Sequence, residues 1–323
     1  MTMTPSPAGF DAGTHSDTEF AQSILNGLSA RQKRIDSKWL YDAYGSQLFD
    51  TITELEEYYP TRTELGILRQ NAARLNEFVG ESTALVELGS GSSTKTRAVL
   101  NVLTGLQSYV PIDISADHLQ DAADHVAREY SQLDVIPVVA DFTADIALPS
   151  ALSDVPKILF FPGSTIGNFE IKGAAQLLGR MRKMAGVAAF VVGVDLVKDI
   201  DTLVRAYDDT KGVTAAFNLN LLTRINRDLG ADFDLAGFKH EARWVAAHNR
   251  IEMHLVSQVA QDVHLLGQVI RFAADETIHT ENSHKYTPEL LERTARQEGW
   301  LVRHIWTDAD KLFGVAVLTP DNG

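Results

Sequence analysis

Residues 84–95 read A84-L-V-E-L-G-S-G-S-S-T-K95, and this stretch decides the fold class. A short apolar run leads into the glycines at 89 and 91, which turn the chain into a helical pattern. Four further apolar runs follow between residues 109 and 195, separated by helix-length segments. Strands that are apolar on both faces and alternate with helices are typical of a parallel sheet covered on two sides. The sequence therefore predicts a doubly wound, Rossmann-like α/β domain.

The alternation stops after Asp195 and resumes at Pro288. Between them, polar helical segments lead into two β-like runs at 251–260 and 263–272, which we expect to pair as antiparallel strands. After Pro288 come a helix and two apolar runs that suit a terminal hairpin. We therefore expect an inserted second domain of α+β structure, made of residues 199–286 and the N-terminal 1–61. Residues 62–198 and 287–323 would form the α/β core.

The composition limits the partners and the location. The chain of 323 residues has 43 acidic and 29 basic residues, a formal charge of −14, which argues against binding a phosphate backbone or an anionic membrane. It has no cysteine, which excludes thiolate chemistry and suits a reducing compartment. The N-terminus lacks the basic and apolar regions of a signal peptide, and no apolar run is long enough to cross a bilayer. We expect a cytoplasmic monomer that acts on a small molecule.

Acidic residues follow the next strands at the edge where the glycine turn lies. Asp113 ends the second predicted strand, and Asp141 with Phe142 ends the third. In open α/β sheets ligands bind at the carboxyl ends of the strands, where a carboxylate can hold a ribose and a ring can pack on adenine. Both carboxylates could instead cap the following helices. The pattern indicates a site shaped for adenosine.

Two ligands contain adenosine and suit such a site. A dinucleotide needs a glycine-lined helix start for its pyrophosphate, but Thr94 replaces the third glycine of that fingerprint. S-adenosylmethionine carries a sulfonium and an amino-acid tail, whose carboxylate Lys95 can reach. We therefore favour S-adenosylmethionine and keep the dinucleotide as the alternative.

A second motif, E57-Y-Y-P-T-R-T-E64, places two tyrosines before a proline. We expect a helix that starts with Thr61 as N-cap and Glu64 in a capping box. Tyr58 and Tyr59 then lie on irregular chain, where they either form a hydrophobic staple over the helix or face a ligand.

Several motifs in one order give the chain a resemblance to a known family. They are K38-W-L-Y-D-A-Y-G-S, E57-Y-Y-P-T-R-T-E, V86-E-L-G-S-G, F160-F-P-G-S-T-I-G-N168, D195-L-V-K-D, A206-Y-D-D, V213-T-A-A-F-N, A231-D-F-D-L, I251-E-M and T280-E-N-S-H-K-Y. In these the chain resembles the histidine-specific N-alpha-methyltransferases that form hercynine, the trimethylated histidine on the route to ergothioneine. The resemblance implies a class I methyltransferase domain with an inserted substrate lobe.

The resemblance also implies roles for individual residues. Those expected to hold S-adenosylmethionine are Tyr41, Gly89, Lys95, Asp113, Asp141 and Phe142. Those expected to bind histidine are Tyr58, Asn168, Tyr207, Met253, Glu281 and Ser283. The candidate catalytic residues are Asn168 and Tyr41, because methyl transfer from a sulfonium mainly requires alignment of a neutral amine and exclusion of water.

Two rival functions use other features. His279, Glu281 and His284 suggest a metal-dependent hydrolase, but strand alternation would put His279 and Glu281 on one face and His284 on the other, so we expect no metal site. The other rival is a non-catalytic, adenosine-binding regulator.

Overall fold

A computed structural model describes residues 12–80, 82–91 and 94–322. Its α-helices are α1 (Ala12–Leu28), α2 (Ala43–Thr53), α3 (Tyr59–Asn71), α4 (Thr94–Leu100), α5 (Ala116–Glu129), α6 (Ile171–Lys183), α7 (Ile200–Tyr207), α8 (Val213–Leu229) and α9 (Pro288–Gln297). Its 3-10 helices are Ser37–Leu40, Ala72–Phe78, Ser150–Leu152, Thr165–Asn168, Leu235–Gly237 and Ala246–His248. Its strands are β1 (Lys33–Arg34), β2 (Thr83–Leu88), β3 (Leu106–Asp113), β4 (Asp134–Val135), β5 (Val138–Val139), β6 (Lys157–Phe161), β7 (Val187–Asp195), β8 (Phe238–Val245), β9 (Arg250–Ser257), β10 (Gln261–Leu265), β11 (Gln268–Phe272), β12 (Thr277–His284), β13 (Trp300–Thr307) and β14 (Phe313–Pro320).

The larger sheet has the order β13-β14-β7-β6-β2-β3-β4, and β5 also pairs with β3. The strands β7, β6, β2, β3, β4 and β5 run parallel to one another. β14 is antiparallel to both of its neighbours, β7 and β13. This arrangement confirms the Rossmann-like α/β fold, and the terminal hairpin forms as expected. The third predicted strand, which leads to Asp141, is instead divided into β4 and β5 on either side of Pro137.

Alternate residues of the parallel strands pack on opposite faces of this sheet. Leu85 and Tyr109 belong to one buried cluster, and Val86 and Val110 to the other. Each face needs apolar cover, which explains why these strands read as continuous hydrophobic runs.

A smaller sheet, in the order β1-β12-β9-β8, forms a second lobe, and α7 and α8 pack against β8 and β9. The predicted antiparallel pairing of 251–260 with 263–272 is wrong. β9 pairs with β8 and β12, while β10 and β11 form a separate hairpin. The turn of this hairpin is at Leu266 and Gly267, both with positive φ, so the second run contains two strands.

The chain enters and leaves the second lobe at adjacent points, which we call the neck (residues 195–197 and 285–286). Leu196 and Tyr286 form a parallel β-bridge. The Tyr286 amide donates to the Asp195 carbonyl at 2.8 Å, and the Val197 amide donates to the Tyr286 carbonyl at 3.0 Å. The predicted divisions after residues 61, 198 and 286 stay a prediction, and residues 1–11 of the first segment lie outside the described part. Among the helices described, none has both the length and the apolarity to span a bilayer.

Candidate active site

A cavity of about 540 Å³ lies between the carboxyl edge of the larger sheet and the second lobe. Its volume is in the range of small-molecule sites. All the residues that the resemblance assigned to donor or substrate line this cavity, although they come from distant parts of the chain: Tyr41, Tyr58, Gly89, Lys95, Asp113, Asp141, Phe142, Asn168, Tyr207, Met253, Glu281 and Ser283. The structure thus brings the predicted residues together, and their individual roles stay predictions.

The glycine turn and Asp113 form one end of the cavity. Gly89 has a φ of 72°, a left-handed conformation that favours glycine, and it lies beside the Phe142 ring. Asp113 is the last residue of β3, and its Oδ1 accepts from the Ser115 amide at 3.0 Å. Burial raises the pKa of Asp113, against the opposing effect of this hydrogen bond. Ser115, rather than Asp113, is at the N-cap position of α5.

Asp141 and Phe142 follow β5 on the same side. Asp141 accepts from the amide of Thr143 at 2.8 Å, and the Lys38 ammonium lies 3.3 Å from its other oxygen. Burial would raise the pKa of Asp141, but the Thr143 hydrogen bonds and Lys38 keep it below its usual value. The Phe142 ring packs edge-on against Phe161 at a centroid distance of 5.3 Å. This end therefore offers an ionised carboxylate and a fixed aromatic ring.

The predicted capping box at Thr61 is wrong. The N-cap of α3 is Tyr58, three residues before Thr61, and the helix begins at Tyr59 with Pro60 in its first turn. Glu64 is completely buried and accepts from the Gly163 amide at 2.9 Å, while its carboxylate lies 2.6 Å from the Lys95 ammonium. Glu64 thus fixes the loop after β6, a role that its local sequence did not indicate. Lys95 was expected at the tail carboxylate of the donor, and here its charge is paired with Glu64.

The loop after β6 carries Asn168. Ser164 adopts a left-handed conformation, with a φ of 59°, and its hydroxyl accepts from the Asp195 amide at 2.8 Å. The short 3-10 helix after it ends at Asn168, whose Nδ2 donates to Glu281 Oε1 at 3.1 Å. Gly167 makes this approach possible, because a Cβ at that position would lie 2.8 Å from the carbonyl oxygen of His284. The loop and the second lobe meet at this contact.

Aromatic rings form another wall of the cavity. Tyr41 packs edge-on against Phe49 and Phe217, each at 5.5 Å, and Tyr58 packs against Phe49 and Tyr207, each at 6.2 Å. Phe49 and Phe217 also line the cavity and were missed, although Phe217 lies inside a motif that carried the resemblance. Burial raises the pKa of the three tyrosines well above 10, so their phenols are neutral.

The strand β12 presents Glu281 and Ser283 to the cavity, opposite Met253 and Ile251 of β9. A bulge at Thr280, whose hydroxyl donates to the Met253 carbonyl at 3.0 Å, shifts the register between His279 and Glu281. Burial raises the pKa of Glu281 to about 7, against the opposing effects of Lys285 and Asn168. The carboxylate can therefore be neutral or ionised near neutral pH.

The three ligands of the metal-hydrolase alternative do not converge, and the face expected for His279 was wrong. His279 lies opposite His254, and Glu281 lies opposite Met253, so the bulge sends the two side chains to different faces. A different group, Glu252, His254 and His279, has ligand atoms within 4.8 Å on the face away from the cavity. The Glu252 carboxylate already accepts a hydrogen bond from His254 Nε2, at 2.9 Å, and forms an ion pair with the Arg250 guanidinium.

A buried charge cluster (Tyr59, Asp195, Lys198 and Lys285) underlies the site, and the sequence analysis did not anticipate it. Asp195 is fully buried and lies 2.6 Å from the Lys198 ammonium and 2.8 Å from that of Lys285. The Tyr59 hydroxyl donates to Asp195 at 2.8 Å. Burial would raise the pKa of Asp195, but the two lysines hold it below its usual value.

Comparison with known proteins adds two kinds of finding. The model of a family described as histidine-specific, S-adenosylmethionine-dependent methyltransferases matches residues 20–320. The chain is 40% identical to the histidine N-alpha-methyltransferase of Mycolicibacterium smegmatis, over 98% of this chain and 99% of that protein. It is 27% identical to ergothioneine biosynthesis protein 1 of Neurospora crassa, over 88% of this chain and 33% of that longer protein.

Among solved structures, the CcbJ methyltransferase from Streptomyces caelestis superposes with a TM-score of 0.50 at 14% identity, covering 87% of this chain and 99% of that one. At this identity the likeness concerns the fold alone.

Proposed function

The chain belongs to the family of histidine-specific, S-adenosylmethionine-dependent methyltransferases, and we propose how its cavity performs that reaction. The product is hercynine, formed by transfer of three methyl groups to the alpha-amino nitrogen of L-histidine, a step toward ergothioneine. The observation that carries the proposal is the contact between Asn168 and Glu281. It joins a loop of the larger sheet to the strand that presents Ser283, so donor and acceptor sites meet there.

S-adenosylmethionine occupies the end of the cavity formed by the larger sheet in this proposal. Asp113 accepts from its ribose hydroxyls, Asp141 accepts from the adenine amine, and the Phe142 ring packs on the base. The positive φ of Gly89 keeps the turn free of a side chain beside Phe142. Tyr41 closes the site from the second lobe, and Lys95 stays available to the tail carboxylate from its position beside Glu64. When bound, the cofactor supplies an electrophilic methyl group.

Histidine occupies the other end. A neutral imidazole has one N–H donor and one acceptor nitrogen, and Glu281 and Ser283 lie on one face of β12 with complementary groups. Asn168 and Tyr207 hold the amino and carboxylate groups, Tyr58 packs near the ring, and Met253 forms the wall behind it. Buried polar groups of this kind reject apolar side chains, because unpaired groups keep their desolvation cost.

The chemistry depends on alignment rather than on a strong base. Asn168 would orient the alpha-amino nitrogen so that its lone pair faces the methyl group that the bound cofactor would supply. The tyrosine phenols cannot act as bases, since burial keeps their pKa well above 10. We propose that the proton of the substrate ammonium leaves to water, and that Tyr41 contributes as a neutral hydrogen-bonding group and an aromatic face.

Repeated methylation turns the amine into a quaternary ammonium. Tyr41, Tyr58 and Phe142 present rings to the cavity, and aromatic faces stabilise such cations. Each methylated intermediate is therefore held at least as well as histidine, and the site has no hydrogen-bond requirement for three N–H groups.

The experiment is a panel of the twenty amino acids with S-adenosylmethionine, read by product mass in the presence and absence of a chelator. We expect histidine alone to turn over efficiently, with a final product that carries three methyl groups in both conditions. A dominant monomethyl product, or loss of turnover with the chelator, would contradict the proposal.

We further propose that the enzyme works as a cytoplasmic monomer whose partner is the small-molecule substrate, without nucleic acid or membrane. The acidic charge and the absence of cysteine support this. Analytical ultracentrifugation tests the oligomeric state.

A further inference from the structure

Lys285 lies directly behind two of the residues assigned to histidine. Its ammonium donates to the Ser283 hydroxyl at 2.7 Å, to the Tyr207 hydroxyl at 3.0 Å and to Asp195 Oδ2 at 2.8 Å. The side chain is fully buried, and it also lies over the Tyr207 ring, 4.4 Å from its centroid. Lys285 does not line the cavity among the residues described, so any effect on histidine passes through its neighbours.

The hydrogen-bond geometry fixes how many protons this pair can offer. An ammonium has three hydrogens and no acceptor, so three oxygens use all of its donors. Tyr207 and Ser283 therefore both accept from Lys285. Their hydroxyl oxygens are also 2.6 Å apart, so one of their two hydrogens is shared between them. In the part of the chain that the structure describes, this leaves one hydroxyl hydrogen, and both side chains line the cavity.

We propose that Lys285 is a positioning residue for histidine: it holds the Tyr207 and Ser283 hydroxyls so that the pair donates one hydrogen to the substrate. Glu281, two residues before Ser283 on the same face, supplies the matching acceptor. This inference rests on the proposed function, and it adds a specificity determinant that lies outside the cavity. The two hydroxyls already share one hydrogen bond with each other, so without Lys285 nothing else described holds the pair in place, and both hydroxyls are free to turn away from the substrate.

The chain offers a matched control in Lys198. This lysine is also buried beside Asp195, but its other contacts are the Tyr59 hydroxyl at 2.6 Å and the Leu196 carbonyl. Neither Tyr207 nor Ser283 is among its described partners. Lys198→Met therefore disturbs the same carboxylate without touching the substrate pair, so it reports what loss of a buried lysine does by itself.

The first measurement compares KM for histidine in Lys285→Met and Lys198→Met. We expect Lys285→Met to raise KM by roughly 10- to 100-fold, the range for lost hydrogen bonds to a charged group, with cofactor affinity unchanged. Lys198→Met should keep KM close to the wild-type value. Equal changes in the two variants would overturn the proposal. If Lys285→Met does not fold, Lys285→Gln keeps an amide NH2 with two of the three N–H donors and should give an intermediate KM.

The second measurement is a double-mutant cycle on histidine binding, read by calorimetry so that turnover is not required. In a Tyr207→Phe, Ser283→Ala background, Lys285→Met should cause no further loss of affinity, because Lys285 acts through those two hydroxyls. A full additive loss would mean a structural role and would overturn the proposal.

The third measurement is the pH profile of kcat/KM. The titratable groups that face Glu281 are Lys285, directly after the end of β12, and the neutral phenols of Tyr41, Tyr58 and Tyr207. Since the Lys285 ammonium lowers the pKa of Glu281, Lys285→Met should move the acidic limb to higher pH, while Lys198→Met should not. If the acidic limb of the kcat/KM profile stays at the wild-type pH in Lys285→Met, the result counts against the proposed role of Lys285. Wild-type formation of trimethylated histidine is the separate test of the proposed function.

Discussion

Replacing Glu281 by glutamine should raise the stability of the folded protein at pH 8 and, at the same pH, weaken its binding of histidine. Burial raises the pKa of Glu281 from 4.5 to about 7 in the folded protein. Between these values the folded state binds the proton more strongly than the unfolded state, so stability falls as pH rises. At pH 8 the carboxylate costs about 3 kcal/mol, from about 1.4 kcal/mol per pKa unit. Glutamine removes that cost and keeps an oxygen for Asn168.

The thermal consequence can be estimated from the chain length. An unfolding entropy of about 2.1 cal/mol/K per residue turns this gain into a rise of about 4 °C in Tm at pH 8. The gain should shrink as pH falls through 7 and vanish below about 4.5, where the carboxyl group is protonated in both states. Melting curves at pH 8 and pH 5 measure this difference.

The kinetic consequence has the opposite sign. A neutral amide accepts from the imidazole N–H less strongly than a carboxylate does, so KM for histidine should rise roughly 10-fold or more. Glu281→Ala should raise it by roughly 10- to 100-fold, and should leave turnover of phenylalanine or tryptophan unharmed, since the carboxylate that opposed them is gone.

The control is Glu252→Gln on the neighbouring strand. Glu252 faces away from the cavity, and although burial would raise its pKa, His254 and Arg250 hold it below its usual value. Its replacement should therefore not stabilise the protein at pH 8 and should leave KM unchanged. A Glu281→Gln variant with a lower Tm at pH 8, or with wild-type KM, would refute the reasoning.

Two further predictions concern the donor site and the loop. Asp113→Ala should weaken S-adenosylmethionine binding by about 1.5–3 kcal/mol in calorimetry, while exposed Asp121→Ala should not; tighter binding of NAD than of the methyl donor would contradict the assignment. Gly167→Ala should lower Tm and raise KM for histidine, since its Cβ would lie 2.8 Å from the carbonyl oxygen of His284 and displace Asn168. The control Gly66→Ala, which has open space around it, should change neither quantity. A Gly167→Ala variant with wild-type Tm and KM would disprove the need for this close approach.

The parts of the fold set by local pattern were predictable from the sequence. The parallel strands could be recognised as continuous apolar runs, because both of their faces are buried. The ends of these strands placed Asp113 and Asp141 at one edge of the sheet. The contents of the cavity followed largely from the resemblance. Tyr58 and Ser283 are 225 positions apart by number, and no local pattern brings such residues together.

What the sequence missed depends on tertiary contacts. Glu64 reads as a capping residue, and only the packing of α3 against the loop after β6 reveals its bond to Gly163. The bulge at Thr280 breaks strict alternation, so the face of His279 was predicted incorrectly. Lys285 looks like a surface lysine at the end of a strand, yet its partner Asp195 lies on the other sheet.

The neck has a consequence for how such an enzyme can diversify. The segment that leaves the larger sheet after β7 and the segment that returns to α9 are hydrogen-bonded neighbours, so the chain of the inserted residues starts and ends at one place. Changes of length in the parts of residues 198–284 that lie away from Lys198 and from the contacts of Glu281 and His284 with the loop after β6 need not alter the spacing of β7 and α9. Selection can thus remodel the acceptor side to suit other amines while the cofactor platform is inherited intact. The neck works as an attachment point for interchangeable acceptor modules.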